Sequence, residues 1–118
     1  MSGKVLLDTN VIIDGLKHGW RFPEGEYLVS VITEMELLSF PRIREEQEVT
    51  IRRLLSNFRT IGLNIEVKEE AIRIRRTYGL KLPDSIICAS AKVEEAMLWS
   101  RDRQLRQVEG IEVEEPVF

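Results

Sequence analysis

Four acidic side chains, spread over the length of the chain, occupy the positions that most suggest chemistry. Each follows an apolar run typical of a strand or lies near the start of a predicted helix, and the four are Asp8, Glu36, Asp84 and Asp102. Carboxylates that lie close together repel one another, so without a cation at least one should shift toward its protonated form. A divalent cation relieves this repulsion, and oxygen-only ligands favour Mg²⁺ or Mn²⁺. The pattern predicts a metal-dependent site in which these acids are ligands.

Each acid also has an ordinary structural interpretation. Asp8 could cap the helix that follows it, and Thr33-x-x-Glu36 matches a capping box. Asp84 suits the first turn of a helix, where the helix dipole favours a negative charge, and Asp102 could be a turn residue. Capping does not explain why all four positions carry an acid on the same predicted side of the molecule. The joint pattern therefore favours the metal site.

The elements that must position these acids alternate between strands and helices. The predicted strands are residues 5–7, 27–31, 64–67, 97–99 and 111–113. The predicted helices are residues 11–16, 33–38, 45–60, 69–78 and 83–96, with a polar helical turn over 102–108. This alternation predicts an α/β fold with a parallel sheet, helices on both faces and right-handed crossovers. A ligand site is then expected at the carboxyl ends of the strands.

Composition excludes several other classes of protein. The 118 residues and 13.7 kDa suffice for one domain with one core, and 43% apolar residues exclude a disordered chain. No apolar run approaches the roughly 20 residues of a membrane span, and the amino end lacks a long apolar stretch, so we expect a soluble, unexported protein. The single cysteine, Cys88, permits no intrachain disulfide, disfavours zinc and fits a reducing cytoplasm.

Charge restricts where a nucleic acid could bind. The formal net charge is −3 and the isoelectric point is near 5.3, so the chain lacks the strongly basic balance of a non-specific nucleic-acid binder. Any such contact must be local. Arg101 and Arg103 flank Asp102 and are the predicted substrate contacts, whereas the other arginine clusters are more simply explained as ion-paired helix faces.

Four segments resemble, in order and spacing, the four motifs of the PIN-domain nucleases. The segments are Val5-Leu6-Leu7-Asp8-Thr9-Asn10-Val11-Ile12-Ile13-Asp14, Ser30-Val31-Ile32-Thr33-Glu34-Met35-Glu36-Leu37-Leu38, Leu82-Pro83-Asp84-Ser85-Ile86-Ile87-Cys88-Ala89-Ser90-Ala91 and Leu98-Trp99-Ser100-Arg101-Asp102. The resemblance covers nearly the whole chain, and the toxins of VapBC toxin–antitoxin pairs are the most similar members. Ser100 stands where the family usually has a threonine, and it keeps the hydroxyl.

The resemblance implies a single domain over residues 1–118 with a three-layer α/β/α fold and a central parallel sheet of about five strands. It implies an Mg²⁺- or Mn²⁺-dependent endoribonuclease, the toxin of a type II toxin–antitoxin pair, with the four acids around the metal. Thr9, Asn10 and Ser100 are expected to support those acids. Glu34 competes with Glu36, but Glu36 is followed by Leu37 as in the family's Thr-x-x-Glu-Leu arrangement.

The resemblance also implies three binding partners, namely RNA, a small antitoxin protein and a second copy of the chain. Apolar residues in short segments add weight to a homodimer, because they can exceed what one small core covers. These residues are Trp20, Phe22, Leu38 and Phe40.

Two alternative functions remain open from the sequence. One is a non-catalytic RNA-binding or scaffold protein with this fold, although the presence of all four acids argues against lost chemistry. The other is a different Mg²⁺-dependent α/β phosphohydrolase or a phospho-receiver. A dehalogenase-like phosphatase would have Asp-x-Asp where Asp8-Thr9-Asn10 stands, and a receiver would have a lysine where Glu114-Glu115-Pro116 follows the last predicted strand.

Overall fold

The computed structural model describes residues 3–117, in which strands and helices alternate. The strands are β1 (Lys4–Leu7), β2 (Glu26–Ser30), β3 (Arg59–Ile61), β4 (Met97–Trp99) and β5 (Val113–Glu114). The helices are α1 (Thr9–His18), α2 (Val31–Leu38), α3 (Glu45–Leu55), α4 (Ile65–Tyr78) and α5 (Leu82–Val93), and a 3-10 helix covers Arg103–Gln107. None of the helices in the described range has the length and apolar character needed to cross a membrane.

The five strands form one parallel sheet in the order β3-β2-β1-β4-β5. In the centre, Leu6 of β1 lies opposite Leu28 of β2 and Leu98 of β4. The chain builds the sheet outward from β1 to β3 and then returns to the other side of β1, so the strand order reverses between β1 and β4. Ligands of open parallel sheets bind outside the carboxyl ends of the strands at such a reversal. The expected α/β fold is confirmed.

The core consists of two clusters, one on each face of the sheet. Successive side chains of a strand point to opposite faces, and accordingly Leu6 packs in a cluster with Ile87 of α5, while Leu7 packs in a cluster with Ile51 of α3. Helices thus cover both faces and complete three α/β/α layers. Residues 85–91 of α5 are all buried, as the apolar circumference of that helix predicted.

The third helix is shorter than the sequence pattern predicted. The helix expected over residues 45–60 ends at Leu55, and its last residues belong to a turn and to β3. The turn is closed by the Asn57 side-chain amide, which donates to the Arg53 carbonyl at 3.2 Å, and by Phe58 N–H, which donates to the Leu55 carbonyl at 3.0 Å. Phe58 packs against the same core cluster as Leu55, so its spacing continued the helical pattern beyond the helix.

The strand expected over residues 64–67 is wrong, because these residues open α4. Asn64 is the N-cap, and its Oδ1 accepts a hydrogen bond from Val67 N–H at 2.9 Å. Smaller differences concern the boundaries of other elements. Val31 begins α2 instead of ending β2, α5 ends at Val93 instead of Ala96, and β5 is Val113–Glu114 instead of residues 111–113.

Most of the apolar side chains that suggested a dimer are covered within the chain. Trp20, Phe22 and Leu38 pack against the core cluster that contains Leu7, and the ring centroids of Trp20 and Phe22 lie 4.4 Å apart. Phe40 differs, with 51% of its surface exposed. Three of the four residues therefore give no support to a dimer, which stays a prediction.

An ion-pair network joins α4 to α5. The Glu70 carboxylate lies 2.5 Å from Arg73 Nη2 on its own helix and 2.6 Å from Lys92 Nζ on α5. Hydrogen bonds from Arg73 and Lys92 lower the pKa of Glu70 from 4.5 to about 2. The network is a second link between two helices that also share the core.

We expect Glu70→Gln to lower the melting temperature at neutral pH and to weaken the loss of stability in acid. Because the pKa of Glu70 is depressed in the folded state, its contribution to the free energy of unfolding is full above pH 4.5 and disappears as the pH falls toward about 2. We expect the substitution to lower the free energy of unfolding by about 1 kcal/mol at neutral pH. The effect is this small because Arg73 and Lys92 remain partly exposed.

Melting curves recorded from neutral pH to about pH 2 measure this effect. Glu69→Gln is the matched control, because its carboxylate lies 3.9 Å from Lys68 Nζ and is largely exposed. A Glu70→Gln variant whose stability falls with acid as steeply as that of the unmodified chain would contradict the role of the network.

Candidate active site

Asp8 stands where β1 ends and α1 begins, beside the reversal in strand order. It is the N-cap of α1, and its Oδ1 accepts a hydrogen bond from Thr9 N–H at 2.8 Å. Asp8 N–H donates to the Trp99 carbonyl at 2.9 Å, which ties this junction to β4. Only 5% of the residue is exposed. Asp8 therefore does cap the helix, but this contact occupies only one of its two carboxylate oxygens.

The second oxygen of Asp8 faces the carboxyl end of β4. Ser100 Oγ donates a hydrogen bond to Asp8 Oδ2 at 2.6 Å, and Asn10 Nδ2 lies 3.2 Å from the same oxygen. Ser100 Oγ in turn accepts from Asp102 N–H at 3.0 Å, and Asn10 Oδ1 accepts from Arg101 N–H at 3.1 Å. Asn10 and Ser100 thus fasten the segment that carries Asp102 to the segment that carries Asp8.

Glu36 reaches the same region from α2. It lies within that helix, as the predicted helix over residues 33–38 implied, and its Oε1 accepts a hydrogen bond from Thr9 Oγ1 at 2.7 Å. Thr33 Oγ1 is 3.0 Å from the same threonine hydroxyl. The capping-box interpretation of Glu36 is wrong, because Ser30 is the N-cap of α2. Thr9 therefore holds Glu36 toward α1.

Glu34, the competing acid on α2, lies elsewhere. It borders a separate surface hollow whose other lining residues include Arg52 and Phe58. Its neighbours therefore differ from those of Glu36, which contacts Thr9.

Asp84 lies in the first turn of α5 and is half-buried. Burial raises the pKa of Asp84, and the charges of Asp102 and Glu36 raise it further. Burial also raises the pKa of Asp8, against the hydrogen bonds from Ser100 and Thr9, while the charges of Asp84 and Glu36 add to the rise. The structure thus brings Asp8, Glu36, Asp84 and Asp102 into one electrostatic neighbourhood, which we term the acidic cluster.

The acidic cluster is not a preassembled coordination shell. Among residues 3–117, no three His, Cys, Asp or Glu side chains are grouped closely enough to hold a metal ion. Ser100 orients Asp8 and Thr9 orients Glu36, so these two carboxylates are each held by a different hydroxyl donor. The donors nevertheless fit a hard divalent cation, because they are all carboxylate oxygens. A cation would also stabilise the ionised forms of Asp8 and Asp84, whose pKa values are raised by burial and, in addition, by the charges of the other acids.

Cys88 lies beneath the acidic cluster, one helical turn beyond Asp84, and is completely buried. Burial, together with the charges of Asp8, Asp84 and Asp102, raises the pKa of the thiol to about 12. Cys88 is therefore a neutral core side chain near neutral pH and not a nucleophile.

The two arginines predicted as substrate contacts lie at the side of the cluster and interact with acids of the chain. Arg101 pairs with Asp14 of α1, and its Nη1 lies 3.5 Å from Glu115 Oε2 beyond β5. Arg103 is largely exposed, with Nε 4.0 Å from the same Glu115. The charge of Arg101 is thus engaged in a link between α1 and the segment after β5.

Two further residues beside the acidic cluster received no prediction of their own. Thr33 is buried against Thr9, and its sequence signal was interpreted as part of a capping box. Lys81 is the N-cap of α5, and its charge partly lowers the pKa of Asp84. Its position directly before Leu82-Pro83-Asp84 was the signal that could have revealed it.

Comparison with known protein families assigns the domain. The family model described as the PIN domain matches residues 5–111, which include all four acids of the cluster. The chain belongs to the PIN-domain family. Among curated protein sequences, none matches this PIN domain.

Solved structures show the same PIN architecture. A chain of a toxin–antitoxin complex from Klebsiella pneumoniae is 30% identical, with a TM-score of 0.77 over 91% of this chain and 94% of that chain. A chain of VapBC2 from Rickettsia felis, bound to a DNA fragment from the promoter, is 16% identical, with a TM-score of 0.83 over 97% of this chain and 99% of that one. VapBC from Salmonella typhimurium, also bound to DNA, gives 20% identity and a TM-score of 0.83 over 95% and 97% of the two chains.

Proposed function

We propose that this PIN domain is a metal-dependent endoribonuclease that hydrolyses RNA phosphodiester bonds and serves as the toxin of a toxin–antitoxin pair. The observation that carries the proposal is the buried Asp8 carboxylate at the strand reversal, within electrostatic reach of Glu36 and Asp84. The family match and the 30% identity to a chain of the Klebsiella pneumoniae complex support the same conclusion.

Each residue of the cluster has a distinct task in this proposal. Asp8, Glu36 and Asp84 hold the cation, and Asp102 holds a second ion or orients water. When bound there, Mg²⁺ or Mn²⁺ would supply Lewis acidity, which would lower the pKa of the attacking water and offset negative charge on the phosphate. Thr9, Asn10 and Ser100 keep the carboxylates in place through the hydrogen bonds described above. No histidine or covalent nucleophile is required.

Two protein partners are part of this proposal, an antitoxin and a second copy of the chain. An antitoxin segment that lies across the acidic cluster would block RNA, and the toxin–antitoxin complexes among the structural neighbours support such a partner. A homodimer is proposed from the family resemblance, and Phe40 is one of the exposed apolar residues that could contribute to its interface. RNA as substrate and Cys88 as a free thiol fit a cytoplasmic protein.

A cleavage assay with the purified chain tests this function. We expect single-stranded RNA to be cut internally when Mg²⁺ or Mn²⁺ is present and to stay intact when the same sample contains excess EDTA. Double-stranded DNA is the comparison substrate. RNA that binds without being cut under any metal condition would favour the non-catalytic alternative, and cleavage that persists in EDTA would contradict the metal dependence.

A further inference from the structure

RNA binding at the acidic cluster requires a cation from the chain. The cluster itself is negative, the chain carries a net charge of −3, and every RNA phosphate is negative. A bound metal offsets charge at the scissile phosphate, but neighbouring phosphates still approach four carboxylates. A basic side chain at the rim of the cluster is therefore needed to hold the RNA backbone.

Arg101 and Arg103 are less suited to this task than their sequence positions indicated. Arg101 is paired with Asp14 and has Glu115 at 3.5 Å, and Arg103 has the same Glu115 at 4.0 Å. A phosphate at Arg101 would compete with acids that are already in place. A different basic side chain at the rim of the acidic cluster is therefore needed to hold the RNA backbone.

Lys81 meets the requirement. Its backbone is anchored as the N-cap of α5, because its carbonyl accepts hydrogen bonds from Ser85 N–H at 2.9 Å and from Ser85 Oγ at 3.0 Å. Its side chain is exposed and makes no cap hydrogen bond, and within the described residues it forms no ion pair. In the part of the chain that the structure describes, Lys81 is also the cation whose positive charge lowers the pKa of Asp84.

We propose that Lys81 binds a phosphate of the RNA backbone next to the scissile bond and is a substrate-binding residue of this active site. The inference rests on the proposed ribonuclease function. An ammonium on a flexible stem is a point charge with three donors, which suits a phosphate that the chain must reach from a fixed backbone position. The start of α5 adds the positive end of a helix dipole at the same place.

Substitutions at Lys81 are expected to change RNA affinity and not the chemical step. A contact made equally in the ground state and the transition state raises KM without changing kcat when it is lost. We expect Lys81→Met to raise KM about fivefold, as for a partly exposed ionic contact. The dependence of kcat/KM on salt should become shallower by about 0.7 in a log–log plot, the value for one lost phosphate contact on a single strand.

Lys81→Arg and Lys68→Met are the two reference variants. Lys81→Arg keeps the charge and should retain the salt dependence of the unmodified chain. Lys68→Met removes the same charge from an exposed position on α4, where Lys68 lies 3.9 Å from Glu69. Its KM and salt dependence should not change. A shift of equal size in Lys68→Met would show that net charge, and not the position of Lys81, determines affinity, which would overturn the inference.

Binding of a short fluorescent single-stranded RNA, followed by anisotropy in the Asp8→Asn background, gives a readout that does not depend on cleavage. Lys81→Met should weaken binding and reduce its salt dependence. If the unmodified chain cuts RNA but Lys81→Met leaves KM, binding and salt dependence unchanged, the role of Lys81 is wrong and the ribonuclease function stands. If no RNA is cut but Lys81→Met weakens binding as expected, the ribonuclease function is wrong and the phosphate contact stands.

Discussion

Asp8→Asn should reduce the rate of RNA cleavage at least about a hundredfold while leaving the fold intact. Asp8 is the most buried acid of the cluster and the one at the strand reversal, so its charge is the part of the site that no neighbour replaces. Asparagine has the same shape, and its carbonyl oxygen can still accept from Thr9 N–H at the start of α1. The substitution therefore removes a charge and preserves the cap.

Glu36→Gln and Glu34→Gln form a matched pair for the same assay. Both substitutions remove one negative charge from α2. Only Glu36, however, accepts a hydrogen bond from Thr9 and contributes to the raised pKa values of Asp8 and Asp84. We expect Glu36→Gln to lose cleavage and Glu34→Gln to retain it. Circular dichroism and melting curves verify the fold of each variant. Cleavage at the normal rate in Asp8→Asn, or greater loss in Glu34→Gln than in Glu36→Gln, would refute the assignment.

The ionised Asp84 carboxylate should lower the stability of the metal-free protein. Burial and the charges of Asp102 and Glu36 raise the pKa of Asp84 above its ordinary value of 3.8. Between the ordinary and the raised pKa, the folded chain holds more protons than the unfolded chain, so the free energy of unfolding decreases as the pH rises through that interval. At neutral pH the ionised carboxylate therefore destabilises the metal-free protein. Asp84→Asn should raise its melting temperature there, and the difference should vanish in strong acid.

When Mg²⁺ or Mn²⁺ is present, the unmodified chain should instead be more stable than Asp84→Asn. A cation that binds the folded chain and scarcely the unfolded one increases the free energy of unfolding. The increase is about 2.7 kcal/mol when the cation concentration is a hundred times its dissociation constant. For a domain near this size, that raises the melting temperature by about 10 °C. Mn²⁺ should act at least as strongly as Mg²⁺ by the usual order of affinities. Asp84→Asn should show a much smaller metal-induced rise in melting temperature, because it lacks one of the proposed ligands.

Melting curves with EDTA, Mg²⁺ and Mn²⁺ measure both effects in one series. Glu34→Gln is again the control, since it removes an acid from a neighbouring helix outside the cluster. An unmodified chain without any metal-dependent shift would contradict the site. So would an Asp84→Asn variant that is less stable without metal and gains as much from it, because Asp84 would then serve only as a favourable charge at a helix start.

Local sequence signals were sufficient for the parts of the fold where neighbouring residues decide the structure. The apolar run of β1 ends at Asp8 and Pro83 marks the first turn of α5, so both positions could be located without a model of the whole molecule. Boundaries were missed where packing overrides periodicity. Phe58 continues the helical spacing but packs against the core from a turn, and Asn64 caps a helix where a strand was expected.

The sequence indicated where the four acids would gather, but not which contacts hold them. Acids after strands and at helix starts indicated which side of the sheet would be negative. The hydrogen bonds that hold Asp8 and Glu36 come from Ser100 and Thr9, and the partners of Arg101 lie on α1 and beyond β5. Such contacts between distant segments depend on how the layers pack. Sequence spacing could therefore not distinguish Arg101, which pairs with Asp14, from Lys81, which forms no ion pair with any of residues 3–117.

Anomalous diffraction from crystals grown with Mn²⁺ tests most directly whether the acidic cluster is the metal site. We expect a manganese peak between the carboxylates of Asp8 and Asp84, with Glu36 and Asp102 at the same site, and no such peak in crystals of Asp8→Asn. An occupied manganese site elsewhere on the chain with none at the cluster, or an unchanged peak in Asp8→Asn, would contradict it.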